Sequence, residues 1–109
     1  MLESSMKLIN DKINNASISE TEKRELLQQV EEIKTQLDGL SETDTHSAAS
    51  IAGYTAIKTH ERLSDENNSE SEKKAEEGLN FYLQKFKVSH PTLVNTVDLL
   101  SRTLSRLGV

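Results

Sequence analysis

Apolar residues recur along this chain at alternating intervals of four and three, which places each set on one side of an α-helix. The clearest set lies near the C-terminus and consists of Leu93, Val97, Leu100, Leu104 and Leu107. Two earlier sets with the same spacing are Leu2, Met6, Ile9 and Ile13, and then Leu26, Val30, Ile33, Leu37 and Leu40. Stripes of this kind pack at shallow crossing angles, so the pattern predicts an all-α protein.

Local signals predict where the N-terminal helices begin and end. Residues 2–40 are expected to form a helical hairpin. Ser19 and Glu22 have the spacing of a capping box, which predicts that the second helix begins just after Ser19. Gly39 is expected to end this helix, and the polar residues 41–47 are predicted to form a linker or cap.

The middle of the chain carries the weakest helical pattern. Residues 45–63 are rich in alanine, which favours a helix with small side chains that another helix can approach closely. Residues 64–71 lack apolar side chains and are predicted to form a loop. Ser69 and Glu72 have capping-box spacing and are expected to start the next helix.

The C-terminal part, residues 70–108, is predicted to form a pair of helices that meet at Pro91. Proline is tolerated in the first turn of a helix, so Ser89 or His90 is expected to cap the last helix, and Gly108 closes the chain. The residues expected to have structural or interface roles are Leu93, Val97, Leu100, Leu104, Leu107, Phe86, His90 and Pro91. The whole chain, residues 1–109, is predicted to be one domain, an up-and-down bundle of four to five helices.

Charge and composition narrow the class of protein. Thirteen Lys and Arg stand against 18 Asp and Glu, and this acidic balance argues against nucleic-acid binding, which needs many cations on one surface. The chain has no cysteine, so disulfides and thiolate metal sites are excluded. No run of about 18 apolar residues and no unbroken apolar N-terminal segment occurs, so we expect no membrane partner and a cytoplasmic location.

The sequence shows no set of residues that predicts catalysis, a cofactor or a metal. His46 and His60 would lie about 21 Å apart along one helix at 1.5 Å per residue, too far apart to share an ion. The glycines are isolated, and no serine stands in a nucleophile elbow. A base at His90 is the enzymatic alternative, but a turn-fixing role for His90 needs only local geometry and is favoured. We therefore predict that the protein is not an enzyme.

The C-terminal segment resembles a family of small, uncharacterised bacterial proteins. The likeness rests on Phe86-Lys87-Val88-Ser89-His90-Pro91-Thr92-Leu93 and on the final Leu107-Gly108-Val109. Residues 1–40 are similar to the family's N-terminal hairpin, whereas residues 41–75 depart from it, so 45–63 is interpreted as an insertion. The resemblance implies bacterial origin and an all-helical fold, and it implies no activity.

Two hypotheses of different classes follow. The first is a non-enzymatic protein that acts by helix-mediated association, first with a second copy of itself as a dimer, because self-association enlarges a modest core. The second is a bundle that binds a small ligand or partner in a groove lined by the Ala-rich helix 48–57, with binding lost on Ala52→Leu.

Overall fold

Five helices run alternately up and down in the computed structural model, which describes residues 2–64 and 69–107. They are α1 (Leu2–Asn14), α2 (Glu20–Ser41), α3 (Thr45–Leu63), α4 (Ser69–Lys85) and α5 (Pro91–Leu107). No strand occurs in these described ranges. The all-α fold and the helical bundle are therefore confirmed.

Helix α2 begins where the sequence predicts. The hydroxyl of Ser19 accepts a hydrogen bond from the backbone N–H of Glu22 at 3.1 Å, and the Glu22 carboxylate accepts one from the Ser19 N–H at 3.0 Å. These two bonds form the predicted capping box.

The predicted end of α2 is wrong. The helix continues through Gly39 to Ser41, and Gly39 does not adopt the positive φ of a helix-terminating glycine. The carbonyl of Leu40 accepts the N–H of Asp44 at 2.8 Å, which closes a tight turn instead. Asp44 caps α3, so the linker predicted over residues 41–47 is only three residues long.

The start of α4 also differs from the prediction. Ser69 is already helical rather than the cap before the helix, and Glu72 pairs with Arg62 of α3 at 2.8 Å. This contact is an ion pair without hydrogen-bond geometry at the Arg62 Nε. Of the predicted loop over residues 64–71, 65–68 lie outside the described residues, as does Gly108.

Helix α3 occupies the centre of the bundle and packs against all four other helices. Its Ala48, Ile51 and Ala52 are fully buried, because small side chains let the neighbouring helices approach closely. The interpretation of residues 45–63 as an insertion stays a prediction.

Polar contacts join two antiparallel pairs of helices, α2 with α5 and α3 with α4. The amide of Gln29 on α2 donates to the hydroxyl of Thr103 on α5 at 3.0 Å, and Arg106 pairs with Glu25 at 2.8 Å. Lys58 on α3 pairs with Glu76 on α4 at 3.4 Å. These contacts identify α2 and α5 as neighbours, and likewise α3 and α4.

Candidate functional site

The C-terminal stripe is part of the core. Leu93, Val97, Leu100 and Leu104 are at most 1% exposed, and Leu107 packs partly buried against the same cluster. The three apolar stripes therefore face one another inside a single chain. A surface for association has to be built from other residues.

The segment around His90 forms a compact turn between α4 and α5. The His90 N–H donates to the carbonyl of Phe86 at 2.8 Å, and the two rings meet edge to face at 5.4 Å. The Ser89 hydroxyl lies 2.9 Å from His90 Nδ1, and Pro91 is the first residue of α5 as predicted. These contacts are structural and bring no second acid or base to His90.

The predicted groove lining on helix 48–57 is partly wrong. Ala48 and Ala52 are fully buried in the core, so Ala52→Leu would overpack the core rather than block a groove. The helix does line a surface depression, but with other residues. Ala49 and Gly53 face it, and a Cβ added at Gly53 would meet no atom within 4 Å.

Two adjoining depressions lie between α1 and α3. The first, of about 750 Å³, has Leu2, Ala49, Gly53 and Ile57 in its lining, with α2 at its edge. The second, of about 540 Å³, adds Leu8 and Ala56. Both include Ile57, so they form one continuous surface. We call this surface the α1–α3 face, and its apolar residues are Leu2, Leu8, Ala49, Gly53, Ala56 and Ile57.

The α1–α3 face leaves large apolar side chains in water. Leu8 is 63% exposed and Ile57 is 42% exposed. Phe81, Val88 and Leu99 are also exposed, but they lie on α4, on the turn after it and on α5. Among these five residues, only Leu8 and Ile57 line the described depressions. Exposed apolar side chains that cluster in this way are typical of an interaction surface.

The charged residues of the α1–α3 face are distributed unevenly along it. Glu3 and Asp38 line the first depression. No Lys or Arg is among the described residues that line it. Lys12 lines the second depression and makes no ion pair within the described part of the chain. The carboxylates of Asp11, which pairs with Lys7 at 3.1 Å, and of Glu61 line the same depression. The face is therefore acidic at the end near the start of α1 and carries charges of both signs at the other end.

A cluster of rings borders the acidic end. His46, which was expected in a linker, lies in the first turn of α3, where its Nε2 is 3.1 Å from the hydroxyl of Tyr82 on α4. The rings of Tyr54 and Tyr82 lie 6.2 Å apart. The arrangement joins α3 to α4 and supplies no nucleophile with a partner base.

Asp44 is the one described group with a clearly shifted acidity. Its carboxylate accepts hydrogen bonds from the Ser47 hydroxyl at 2.7 Å and from the Ser47 N–H at 3.0 Å. These bonds favour the charged form and hold the pKa of Asp44 below its usual 3.8. The shift belongs to a helix cap and needs no catalytic explanation.

Residues 2–64 and 69–107 contain no cluster of three or more His, Asp or Glu side chains placed to hold a metal ion. Within the same residues, no helix has the length and apolar character of a membrane span.

The sequence held a weak signal for the α1–α3 face. Leu8 falls outside the stripe of α1, and Ala49, Gly53 and Ile57 follow one another at intervals of four, which defines a second side of α3. Leu8 and the residues on this side of α3 form one surface because α1 and α3 lie side by side. Sequence spacing did not reveal this adjacency.

The family model described as "Domain of unknown function (DUF4404)" matches residues 26–109. The matched range begins inside α2 and includes all of α3, whereas the resemblance noted in the sequence was placed on residues 1–40 and 76–109. No curated protein and no solved structure matches the chain significantly.

Proposed function

We propose that this chain, which belongs to the DUF4404 family, is a non-enzymatic helical protein that acts by pairing with a second copy of itself through the α1–α3 face. The observation that carries the proposal is the exposure of Leu8 and Ile57 around a surface lined by small residues. The predicted stripes are already buried within one chain, so association has to use exposed residues, and on this face exposed apolar side chains border the described depressions.

The shape of the face favours a helix as its occupant. Ala49 and Gly53 stand four residues apart on α3, and the space beside Gly53 is open. Small side chains at this spacing let a second helix approach at the close end of the usual 8–10 Å between helix axes. Ile57 of one copy would then lie beside Ala49 of the other if the two α3 helices cross in opposite directions.

The positions of Glu3 and Lys12 on α1 fit the same antiparallel arrangement. Glu3 and Lys12 are separated by about 14 Å along α1, with Leu8 near their midpoint. A two-fold axis near Leu8 would place Glu3 of each copy close to Lys12 of the other. A two-fold interface forms every such contact twice, so two equivalent ion pairs would result.

Solution mass tests the proposal directly. Light scattering on a sizing column, over a wide range of protein concentration, is expected to show a dimer that dissociates on dilution. Ile57→Glu should shift the protein to monomer at all concentrations, because it places a carboxylate in the apolar centre of the face. Leu99→Glu is the matched control, since Leu99 is similarly exposed but lies on α5; it should leave the dimer intact.

Charge reversal tests the orientation. Glu3→Lys and Lys12→Glu are each expected to weaken the dimer, by about two- to thirtyfold for two exposed pairs worth about 0.2–1 kcal/mol each. Combining them should restore dimerisation, because the pairs re-form with reversed signs. Circular dichroism of each variant checks that α1 stays helical. A wild-type protein that is monomeric at every concentration overturns the proposal, as does a dimer unaffected by Ile57→Glu.

The second candidate function uses the same face for a small ligand or another protein's helix. It is favoured by the open space at Gly53, and the variant that tests it is Gly53→Leu rather than Ala52→Leu. A monomeric wild-type protein that captures a partner in a pull-down from its source cell, with capture lost in Gly53→Leu, would support this candidate. Bacterial origin and a cytoplasmic location remain proposals too, the second being tested by cell fractionation.

A further inference from the structure

A cleft of about 430 Å³ lies between α4 and α5, with a residue of α3 at its base. Its apolar wall includes Leu79, Leu83 and Val97, and its polar wall includes the side chains of Asn80, Gln84 and Asn95. This volume is typical of sites for small molecules, which combine an apolar wall with a few polar groups. The cleft shares no lining residue with either depression of the α1–α3 face.

Lys58 of α3 reaches into this cleft, and its side chain is only 8% exposed. An ammonium carries three donors, yet the one acceptor within reach of Nζ among the described residues is Glu76 Oε1 at 3.4 Å. A charge-assisted bond is normally about 2.7–2.9 Å long. The buried cation is therefore only loosely paired, by a carboxylate that is itself 54% exposed.

A buried charge is costly unless it is paired and hydrogen-bonded. Lys58 has donors to spare and faces a cavity, so an anionic oxygen placed in the cleft would gain a strong contact. Lys87 lies at the same cleft and makes no ion pair within residues 2–64 and 69–107. Asp98 also lines it, but Arg102 neutralises this carboxylate at 3.0 Å.

We propose that the α4–α5 cleft binds a small organic carboxylate, with the carboxylate on Lys58 and a short apolar segment against Leu79, Leu83 and Val97. The amide side chains in the wall both donate and accept, so they suit a ligand with further polar groups. The nearby carboxylate of Glu76 disfavours a doubly charged phosphate relative to a singly charged carboxylate.

Chemical shifts of the 15N-labelled protein test this proposal, in titrations with sodium butyrate, succinate, L-glutamate and inorganic phosphate at constant ionic strength. At least one of the three carboxylates is expected to shift resonances of cleft residues saturably, with a dissociation constant on the order of 1 mM. Phosphate should bind at least tenfold more weakly. Equal or tighter binding of phosphate would overturn the carboxylate assignment.

Two substitutions give opposite expectations. Lys58→Met keeps an unbranched side chain that is one heavy atom shorter, removes the ammonium and should weaken carboxylate binding at least tenfold. Glu76→Gln removes the competing carboxylate and should tighten binding severalfold. It should also lower the melting temperature, and the bound carboxylate should restore it. A purely structural ion pair predicts no such rescue, so Glu76→Gln without rescue, or binding unchanged in Lys58→Met, overturns the proposal.

Discussion

The ring of Tyr54 on α3 lies directly against the backbone of Gly78 on α4. A Cβ added at Gly78 would stand 2.6 Å from Cε1 and 2.7 Å from Cε2 of that ring, well inside van der Waals contact. Gly78 is therefore a notch that accepts the tyrosine, and it helps to set the close packing of α3 on α4.

Substituting this glycine should show the coupling between the two residues. Alanine is favoured over glycine within a helix by about 0.5–1 kcal/mol. In the wild-type background, Gly78→Ala should lack that gain because it displaces the Tyr54 ring. In a Tyr54→Ala background the gain should return, and urea unfolding of the four proteins measures the difference.

Gly39→Ala is the matched control, because a Cβ there meets nothing within 4 Å and Gly39 lies inside α2 near its end. It should stabilise the wild-type protein by up to about 1 kcal/mol. Additive effects of Gly78→Ala and Tyr54→Ala would contradict the proposed notch.

Two adjacent leucines of α5 should respond very differently to truncation. Leu100 is 1% exposed, and Leu100→Ala should lower the free energy of unfolding by about 2–5 kcal/mol through lost burial and a residual cavity. Leu99 is 50% exposed, so Leu99→Ala should cost less than about 0.5 kcal/mol. Denaturant unfolding monitored by circular dichroism compares the two variants. Similar losses in the free energy of unfolding would contradict the burial of Leu100 and the exposure of Leu99.

The capping box of α2 should contribute measurable stability. Ser19→Ala removes the hydroxyl that accepts the Glu22 N–H and should cost about 0.5–2 kcal/mol. Ser17→Ala, in the same connection but outside the box, is the control and should change the free energy of unfolding by no more than about 0.5 kcal/mol. Thermal melts of both variants compare their stabilities. Equal losses would mean that the capping box itself contributes no stability.

The cap of α3 predicts a dependence on pH. The pKa of Asp44 is lowered in the folded protein by the hydrogen bonds from Ser47, so the folded state binds the proton less readily than the unfolded state. The stabilisation is present above the ordinary value of 3.8 and is lost as the pH falls through the lower folded pKa.

Asp44→Asn should therefore be less stable than the wild type near neutral pH and should approach it in acid. Urea unfolding at several pH values between neutrality and acid measures the gap. A gap of constant size across that range would mean that the charge of Asp44 contributes nothing to the cap.

The ends of two helices show how far local signals extend. The start of α2 and the position of Pro91 at the start of α5 follow from residues within three or four positions of one another, so the sequence predicts them correctly. Gly39 was misleading because its backbone does not adopt the positive φ of a helix-terminating glycine. The helix continues two residues further to Ser41, and the Leu40 carbonyl closes the turn by accepting the Asp44 N–H.

The sequence by itself determined the all-α class and the three buried stripes, because helical periodicity and capping depend on neighbours along the chain. Only the tertiary structure decided that α3 lies at the centre, that Leu8 and Ile57 share one face, and that Lys58 is buried beside the α4–α5 cleft. Each of these features joins side chains from separate helices, and the packing of helices against one another is set by contacts that no local spacing encodes.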